Sequence, residues 1–398
     1  MGIGLGRAWA LVGAIAAAGL AACGNNNEGA AAPPSATSQG SLQMTIESVT
    51  LPAGDAVRPV VRFRVVDTTT GNPLDLGKEV AAANASPPGI PNTVPRFTLS
   101  QRDDRNDYRS YYASTAQPKA YTVPEGITVA PPTSPQLQAA YQPPSGAYPV
   151  ADLKDVGSGS WELTLPPTNQ SGFDRSKTHT VAGWAVRSNG TAAADVAATS
   201  LDFVPGGGTP TGYATVTDAR CNQCHGFVQA HGSRRTVPLC ITCHNPSTGD
   251  PETSQTLDFK VMIHKIHSGQ TLPSVQQGKG YFIVGFRQTV VDFSDITFPY
   301  HNHGVAHCTV CHSGGAQSDN WKKIPTQNVC TSCHDNVQFA SAAGLDPCPV
   351  GTSAASGFKD CLHTGGPITI TDSRDPNACL GCHGPGTAAA IDKFHHGD

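Results

Sequence analysis

Residues 221–244 read CNQCHGFVQAHGSRRTVPLCITCH and contain the pattern C-x-x-C-H twice. The same pattern returns as CTVCH at 308–312, CTSCH at 330–334 and CLGCH at 379–383. Two thiols at this spacing can both bond to one porphyrin as thioethers, and the histidine that follows then lies over the iron as an axial ligand. Five copies therefore predict five covalently bound c-type haems.

The predicted attachment residues are ten cysteines and five histidines. They are Cys221, Cys224 and His225; Cys240, Cys243 and His244; Cys308, Cys311 and His312; Cys330, Cys333 and His334; and Cys379, Cys382 and His383. Paired C-x-x-C units also build zinc sites, but zinc does not require a histidine directly after every pair. A disulfide framework is disfavoured as well, because this spacing is typical of redox or metal pairs.

The second axial ligand of each iron is predicted to be histidine, because only one of the three methionines, Met262, lies in the haem half. Histidine on both faces implies low-spin irons at low potential. The predicted distal ligands are His231, His264, His267, His363 and one of His395 or His396, with His301, His303 and His307 in reserve. His264 and His267 are spaced i and i+3 in FKVMIHKIHSG, so a helix would present both on one side.

Two further cysteines, Cys348 and Cys361, remain after haem attachment. A disulfide between them is the first interpretation, worth roughly 3 kcal/mol in the loop-entropy model. The alternative is an irregular haem anchor in which His363 serves as the proximal ligand.

Composition limits the remaining possibilities. Among 398 residues there are 42 Gly and 32 Pro, which excludes a helical bundle over most of the length. A formal net charge of −4 gives no electrostatic signature of nucleic-acid binding. Residues 213–398 contain few long apolar runs, so we expect a haem-packed domain of loops and short helices whose porphyrins supply the apolar interior.

Residues 41–205 are predicted to form a β-rich domain, an antiparallel sandwich or split barrel, because short β-branched segments alternate with Pro, Gly and Asn. The predicted strands cover 44–51, 60–68, 96–101, 108–115, 160–166, 179–188 and 199–205. The Pro-rich stretch 116–150 is expected to be a surface excursion, and PGGGTPTG at 205–212 marks the boundary. His179 is isolated in this half, so a structural role is expected.

The N-terminus reads as a targeting segment. Residues 1–22 have a positive Arg7 and a short apolar run typical of a signal peptide. The sequence LAAC ending at Cys23 resembles the lipobox of bacterial lipoproteins, which implies a lipidated cysteine followed by a flexible tether over 23–40. The alternative is ordinary cleavage that leaves Cys23 as a free thiol. No Asp follows Cys23, which by the same resemblance favours the outer membrane.

The motifs together resemble the outer-surface multihaem cytochromes of metal-respiring bacteria, the OmcA/MtrC type. The segments that carry the resemblance are DFVPGGG (202–208), the stretch 219–246, DFKVMIHKIHSG (258–269), FSDITFPYHNHGVAHCTVCHSG (293–314), HTGGP (363–367) and ACLGCHG (378–384). It implies bis-His haems packed edge to edge that pass electrons to ferric minerals, metal complexes, flavins or partner cytochromes. It also places His231, His264, His267 and His363 at distal-ligand positions.

The chain departs from this family in three ways. Family members usually carry two β-plus-pentahaem units, whereas this sequence contains one, which favours partner cytochromes, an outer-membrane conduit or self-association. Cys348 and Cys361 lie within the haem domain, where the family's disulfide is not expected. His303 and His307 are additional to the pattern.

The sequence therefore predicts a lipid-anchored electron-transfer protein of the outer membrane surface rather than a substrate-specific enzyme. Two alternatives stay open: a multihaem reductase with one open iron, and the subunit of a cytochrome filament.

Overall fold

The computed structural model describes residues 41–54, 57–85, 92–127, 134–168, 172–188, 195–299, 304–335, 340–341, 369–370 and 374–395. The regular elements of the N-terminal half are β1 (Leu42–Thr50), β2 (Val60–Asp67), β3 (Asn72–Pro73), α1 (Leu76–Ala85), β4 (Asn92–Arg102), β5 (Tyr108–Ser110), β6 (Ala113–Ala116), β7 (Gln136–Ala139), β8 (Leu153–Gly157), β9 (Ser160–Thr164), β10 (His179–Ser188) and β11 (Asp195–Phe203).

These strands form two antiparallel sheets. One has the order β1-β2-β9-β8, with β3 added beside β2, and the other has the order β11-β10-β4-β5. The strand β1 also lies against β11, so the sheets approach each other along one side. β6 and β7 pair separately, which shows that the Pro-rich excursion folds back on itself.

Alternating side chains fill the space between the two sheets. On β2, Val61, Phe63 and Val65 are buried while their neighbours are partly exposed, the period-2 pattern of a strand with one face in the core. Phe63 meets Phe97 of the opposite sheet edge to face, with ring centroids 4.9 Å apart. The predicted β-rich antiparallel domain is therefore confirmed.

The short helix α1 was not predicted. Leu76 and Val80 lie one turn apart and are both buried in the β-domain core, while Asp75 accepts a hydrogen bond from the Lys78 amide at the start of the helix. Its alanine-rich remainder gives little amphipathic signal.

His179 has the structural role that its isolation indicated. Its Nδ1 lies 3.0 Å from the Lys177 carbonyl and its Nε2 lies 2.7 Å from the Tyr111 hydroxyl. Because a carbonyl can only accept, Nδ1 carries the proton and Nε2 accepts from Tyr111. Burial lowers the pKa of His179, so this buried imidazole is neutral.

The second half contains short helices and loops, as expected. Its elements are α2 (Asp218–His225), β12 (Gln229–Ala230), β13 (Arg234–Arg235), α3 (Val237–Cys243), α4 (Phe259–Ser268), α5 (Pro273–Gln276), β14 (Phe282–Val284), β15 (Val290–Asp292), α6 (Asn320–Lys323), α7 (Gln327–Cys330), β16 (Ala340–Ser341), β17 (Thr369–Ile370) and α8 (Asn377–His383), with 3₁₀ turns at Gly269–Thr271, Phe286–Gln288, Gly304–Ala306, Cys308–Val310 and Ile391–Lys393. The N-terminal half has one further 3₁₀ turn before β8, at Val150–Asp152.

Helix α3 joins the two halves. The Thr242 hydroxyl lies 2.7 Å from that of Thr98 on β4, and the Thr242 carbonyl accepts from Ser100 and Ser110 at 3.0 and 2.6 Å. These buried polar groups are mutually satisfied, so the helix is held to the sheet in one position. Among the described residues, no helix is long and apolar enough to span a bilayer.

Candidate haem sites

Each described C-x-x-C-H motif forms a helical turn. The His244 amide donates to the Cys240 carbonyl at 2.9 Å, and His312 and His334 make the same bond to Cys308 and Cys330 at 2.8 and 3.0 Å. This i to i+4 bond places the first cysteine and the histidine on one face of the turn. The motif spacing thus orients one thiol and the imidazole in the same direction.

Helix α4 carries the two histidines spaced i and i+3. Its N-cap is Asp258, whose Oδ1 accepts from the Lys260 amide at 3.2 Å, and its C-cap is Gly269, with φ of 40°. Both caps follow the usual residue preferences, which explains why the helix spans this segment. His264 and His267 leave α4 toward two different motifs.

Four motif histidines each face one predicted distal histidine. The ring centroids are separated by 6.0 Å in His225–His267, 5.8 Å in His231–His244, 6.1 Å in His264–His312 and 6.1 Å in His334–His395. Two imidazoles bound to one metal through nitrogens at about 2.0–2.1 Å would have centroids about 6 Å apart. The four pairs therefore fit an iron between each pair of rings.

Backbone carbonyls orient these rings. Nδ1 of His244 lies 3.2 Å from the Leu257 carbonyl, and Nδ1 of His267 lies 2.9 Å from that of Ile263. His395 and His383 make the same contact, at 3.3 Å to Ile391 and 2.9 Å to Ala389. Since the carbonyl accepts, Nδ1 carries the proton and Nε2 keeps its lone pair for a metal, the usual arrangement of ligating histidines.

The protonation states suit the same ligands. Burial, together with the facing imidazole, lowers the pKa of His244 and of His264 to about 4. Both rings are therefore neutral at pH 7, as metal ligation requires.

Burial raises the pKa of Cys240 and Cys308 to about 12. The ten motif cysteines carry no disulfide. In the described ranges no three His, Cys, Asp or Glu side chains converge as a metal-ion site.

Several of the remaining predicted site residues lie outside the described residues. Cys379, Cys382 and His383 of the fifth motif lie on α8, whereas His363, one of the predicted distal histidines, lies outside the described residues. His396, His301, His303, Cys348, Cys361 and Cys23 also lie outside them. His307 is described, and none of the four facing pairs includes it.

Sequence reasoning missed the polar groups around the histidines. Lys265 on α4 forms a 2.8 Å ion pair with Asp335, which directly follows His334, and the Ser274 amide and hydroxyl also donate to Asp335 at 3.0 and 2.6 Å. Arg234 contacts Tyr141 and Trp184 of the β half next to His231. The sequence contains no signal for these contacts, because the partners are far apart along the chain.

Comparison with known proteins identifies the haem half. Residues 213–396 match the model of domains II/IV of the outer membrane cytochromes of the MtrC/MtrF type. This segment is an MtrC/MtrF-like cytochrome domain. Multiheme cytochrome MtrC of Shewanella baltica (strain OS185) is 27% identical over 152 residues, which are 36% of this chain and 18% of that protein.

The similarity of fold to known cytochromes extends beyond this domain. The crystal structure of the outer membrane decaheme cytochrome OmcA matches with a TM-score of 0.63 and 20% identity, covering 91% of this chain and 49% of OmcA. The chain thus spans about half the length of OmcA. The resemblance to OmcA/MtrC-type cytochromes and the predicted architecture of a β domain followed by a haem domain are confirmed.

Proposed function

We propose that this chain is an extracytoplasmic electron-transfer protein that carries five covalently attached haems with histidine on both faces of each iron. The observation that carries the proposal is the set of four facing histidine pairs, each joining a motif histidine to a distal one at 5.8–6.1 Å. His383 and His363 would complete the fifth site. With both axial positions taken by histidine, no iron is left open for a substrate, which favours electron transfer over substrate reduction.

The protein's own groups would hold and orient the cofactors. The motif cysteines anchor each porphyrin, and the carbonyls that accept from Nδ1 fix the imidazole planes. Bound haem would supply one-electron redox chemistry, so no side chain has to react. The protein's contribution is to set the spacing and the potentials of the sites.

The thiols support an order of neighbouring sites. Burial raises the pKa of five motif cysteines, and a thiol of another motif raises each further. The pairs concerned are Cys240 with Cys221, Cys221 with Cys311, Cys311 with Cys224, Cys308 with Cys333, and Cys330 with Cys379. Numbered along the chain, the motifs follow one another in space as 2-1-3-4-5, which we infer to be the path of the electrons.

Helix α4 supports the middle of this order. His264 faces motif 3 and His267 faces motif 1, so one rigid helix serves both sites. At the end of α4, the Ser268 hydroxyl donates to the Cys333 thiol of motif 4 at 3.1 Å. Three neighbouring sites are thereby tied to one short element, which would keep their separations constant.

The sequence and the relatives support a proposal for the location and the partners. We propose that Cys23 is lipidated after removal of 1–22, that residues 23–40 form a tether to the outer membrane surface, and that Cys348 and Cys361 form a disulfide. We also propose that the β-rich domain spans residues 41–205 and the haem domain residues 213–398. The proposed partners are extracellular electron acceptors, such as metal oxides, metal complexes or flavins, and other cytochromes or an outer-membrane conduit. We also propose that the chain can associate with itself.

The test is a haem count by intact mass combined with spectra of the purified protein in its oxidised and reduced states. We expect five haems per chain, all low-spin in both states. Fewer haems would contradict the attachment sites, and a high-spin fraction would contradict histidine on both faces. The double substitution Cys379→Ser and Cys382→Ser should remove one haem and leave the spectra of the other four haems unchanged.

A further inference from the structure

Two arginines meet one aromatic ring where the β half contacts the haem half. The guanidinium carbon of Arg96, on β4, lies 5.5 Å from the ring centroid of Tyr141, and that of Arg234, on β13, lies 4.9 Å from it. Arg234 is also 4.9 Å from the ring of Trp184 on β10. Both arginines are partly buried. Two like charges therefore contact the same ring, and both are partly desolvated.

Among the described residues, no acid balances either charge. In the described part of the chain, no salt bridge reaches Arg96 or Arg234, and Arg96 donates only to the Pro143 carbonyl, at 3.4 Å. Burial lowers the pKa of Arg96, and the charge of Arg234 lowers it further. Partly buried cations without a counter-charge are costly, so the arrangement calls for an anion.

The arginine pair lies beside the site of motif 2. Arg234 belongs to the hairpin β12–β13, whose turn holds His231 at φ of 50°, opposite His244. Trp184, which Arg234 contacts, packs against Leu239, the residue before Cys240. The unbalanced charge is thus within reach of a group bound at this site.

We propose that Arg96 and Arg234 bind a carboxylate, and that the propionates of the haem attached to Cys240 and Cys243 supply it. This inference rests on the proposed function. A guanidinium matches a carboxylate because its planar donors can bond both oxygens at once. The β half would then take a direct part in one haem site.

The arrangement has a consequence for the redox potential. Reduction adds a negative charge to the haem, and nearby cations stabilise that charge, so Arg96 and Arg234 raise the potential of the haem at motif 2. Since motif 2 lies at one end of the order 2-1-3-4-5, the two arginines would set the potential at that end alone.

The test is a redox titration of the full-length holoprotein and its variants, followed by absorbance and by the spectra of the individual low-spin haems. In Arg234→Met we expect one haem to shift to a lower potential while four stay unchanged, and in Arg234→Lys a smaller shift. Arg287→Met is the matched control, since Arg287 also lies on an aromatic ring, 5.2 Å from the highly exposed Phe286. It should leave all five potentials unchanged.

Further measurements separate the possible outcomes. Arg96→Met, on another element, should shift the same haem, so the inference stays testable if Arg234→Met folds poorly. Native potentials in both variants, or a shift spread over several haems, would overturn it. Acetate or citrate titrated into the native protein at constant ionic strength should leave the haem potentials unchanged. A saturable shift in potential that is absent from Arg234→Met would show that the arginines bind a carboxylate from solution, and it would overturn the propionate assignment. A native chain with fewer than five haems contradicts the proposed function instead.

Discussion

His264 and His267 lie three residues apart on α4, yet each faces the histidine of a different motif. The ring of His264 is 6.1 Å from that of His312, and the ring of His267 is 6.0 Å from that of His225. One helix of ten residues therefore fixes the distance between two candidate haem sites.

The first prediction concerns this helix. Methionine in place of a distal histidine raises the potential of a haem. His264→Met should raise the potential of one haem, and His267→Met that of a different haem, while the other four stay at their native values. Redox titration with magnetic spectroscopy checks both. If the two variants alter the same haem, the assignment of α4 to two sites is wrong.

The second prediction separates His395 from His396. The ring of His395 lies 6.1 Å from that of His334, with its Nδ1 3.3 Å from the Ile391 carbonyl. His395→Ala should convert one haem to a high-spin form, visible in the oxidised absorbance spectrum. His396→Ala is the matched control and should keep all haems low-spin. The reverse result would assign the ligand to His396.

The third prediction concerns the ion pair between Lys265 and Asp335, whose side chains are 11% and 9% exposed. Removing one partner of a buried ion pair costs about 3–5 kcal/mol, because the other charge stays buried without its counter-charge. Lys265→Met should lower the free energy of unfolding by about that amount, and Lys265→Met with Asp335→Leu should lower it less.

The control for this pair is Lys323, which contacts Asp319 with side chains 59% and 51% exposed. Exposed ion pairs contribute about 0–1 kcal/mol, so Lys323→Met should have little effect. Denaturant unfolding followed by circular dichroism measures all three variants. Equal losses of unfolding free energy in Lys265→Met and Lys323→Met would show that the buried ion pair contributes no more to stability than the exposed one.

The fourth prediction is a pH dependence that arises from Asp258, the N-cap of α4. Burial raises its pKa to about 6, above its ordinary value of 3.8. The folded state therefore binds this proton more tightly than the unfolded state does, so stability falls as the pH rises from about 4 to about 6 and then levels off. The loss from this group is about 3 kcal/mol at most.

Asp258→Asn tests this, because asparagine can still accept the Lys260 amide and cap the helix. The difference in unfolding free energy between variant and native protein should grow in favour of the variant between pH 4 and 6, and stay constant above. A difference that does not vary over this range would contradict the raised pKa.

The fifth prediction concerns the β-domain core. Tyr111→Phe leaves the buried Nε2 of His179 without its donor, which should cost about 1–3 kcal/mol. Tyr148→Phe is the control, since the buried Tyr148 hydroxyl has no hydrogen-bond partner in the described ranges and its removal should be neutral or stabilising. Thermal unfolding measures both; a larger loss in Tyr148→Phe would contradict the prediction.

Local pattern made much of this protein predictable. The alternation of Val61, Phe63 and Val65 indicated a strand with one buried face, and the predicted strand 179–188 has the bounds of β10. Helix α1 was missed because only Leu76 and Val80 of its ten residues are buried, which leaves too weak a pattern to distinguish helix from loop.

By itself the sequence determined the number of C-x-x-C-H motifs and the β-rich first half, and it predicted the ligand types, because each depends on spacings of a few residues along the chain. Only the tertiary structure decided that His267 faces motif 1 and His264 faces motif 3, and that Arg96 of the β half and Arg234 beside motif 2 contact the same ring, that of Tyr141. These relationships join segments far apart in the chain, and packing between elements fixes them, which no local periodicity encodes.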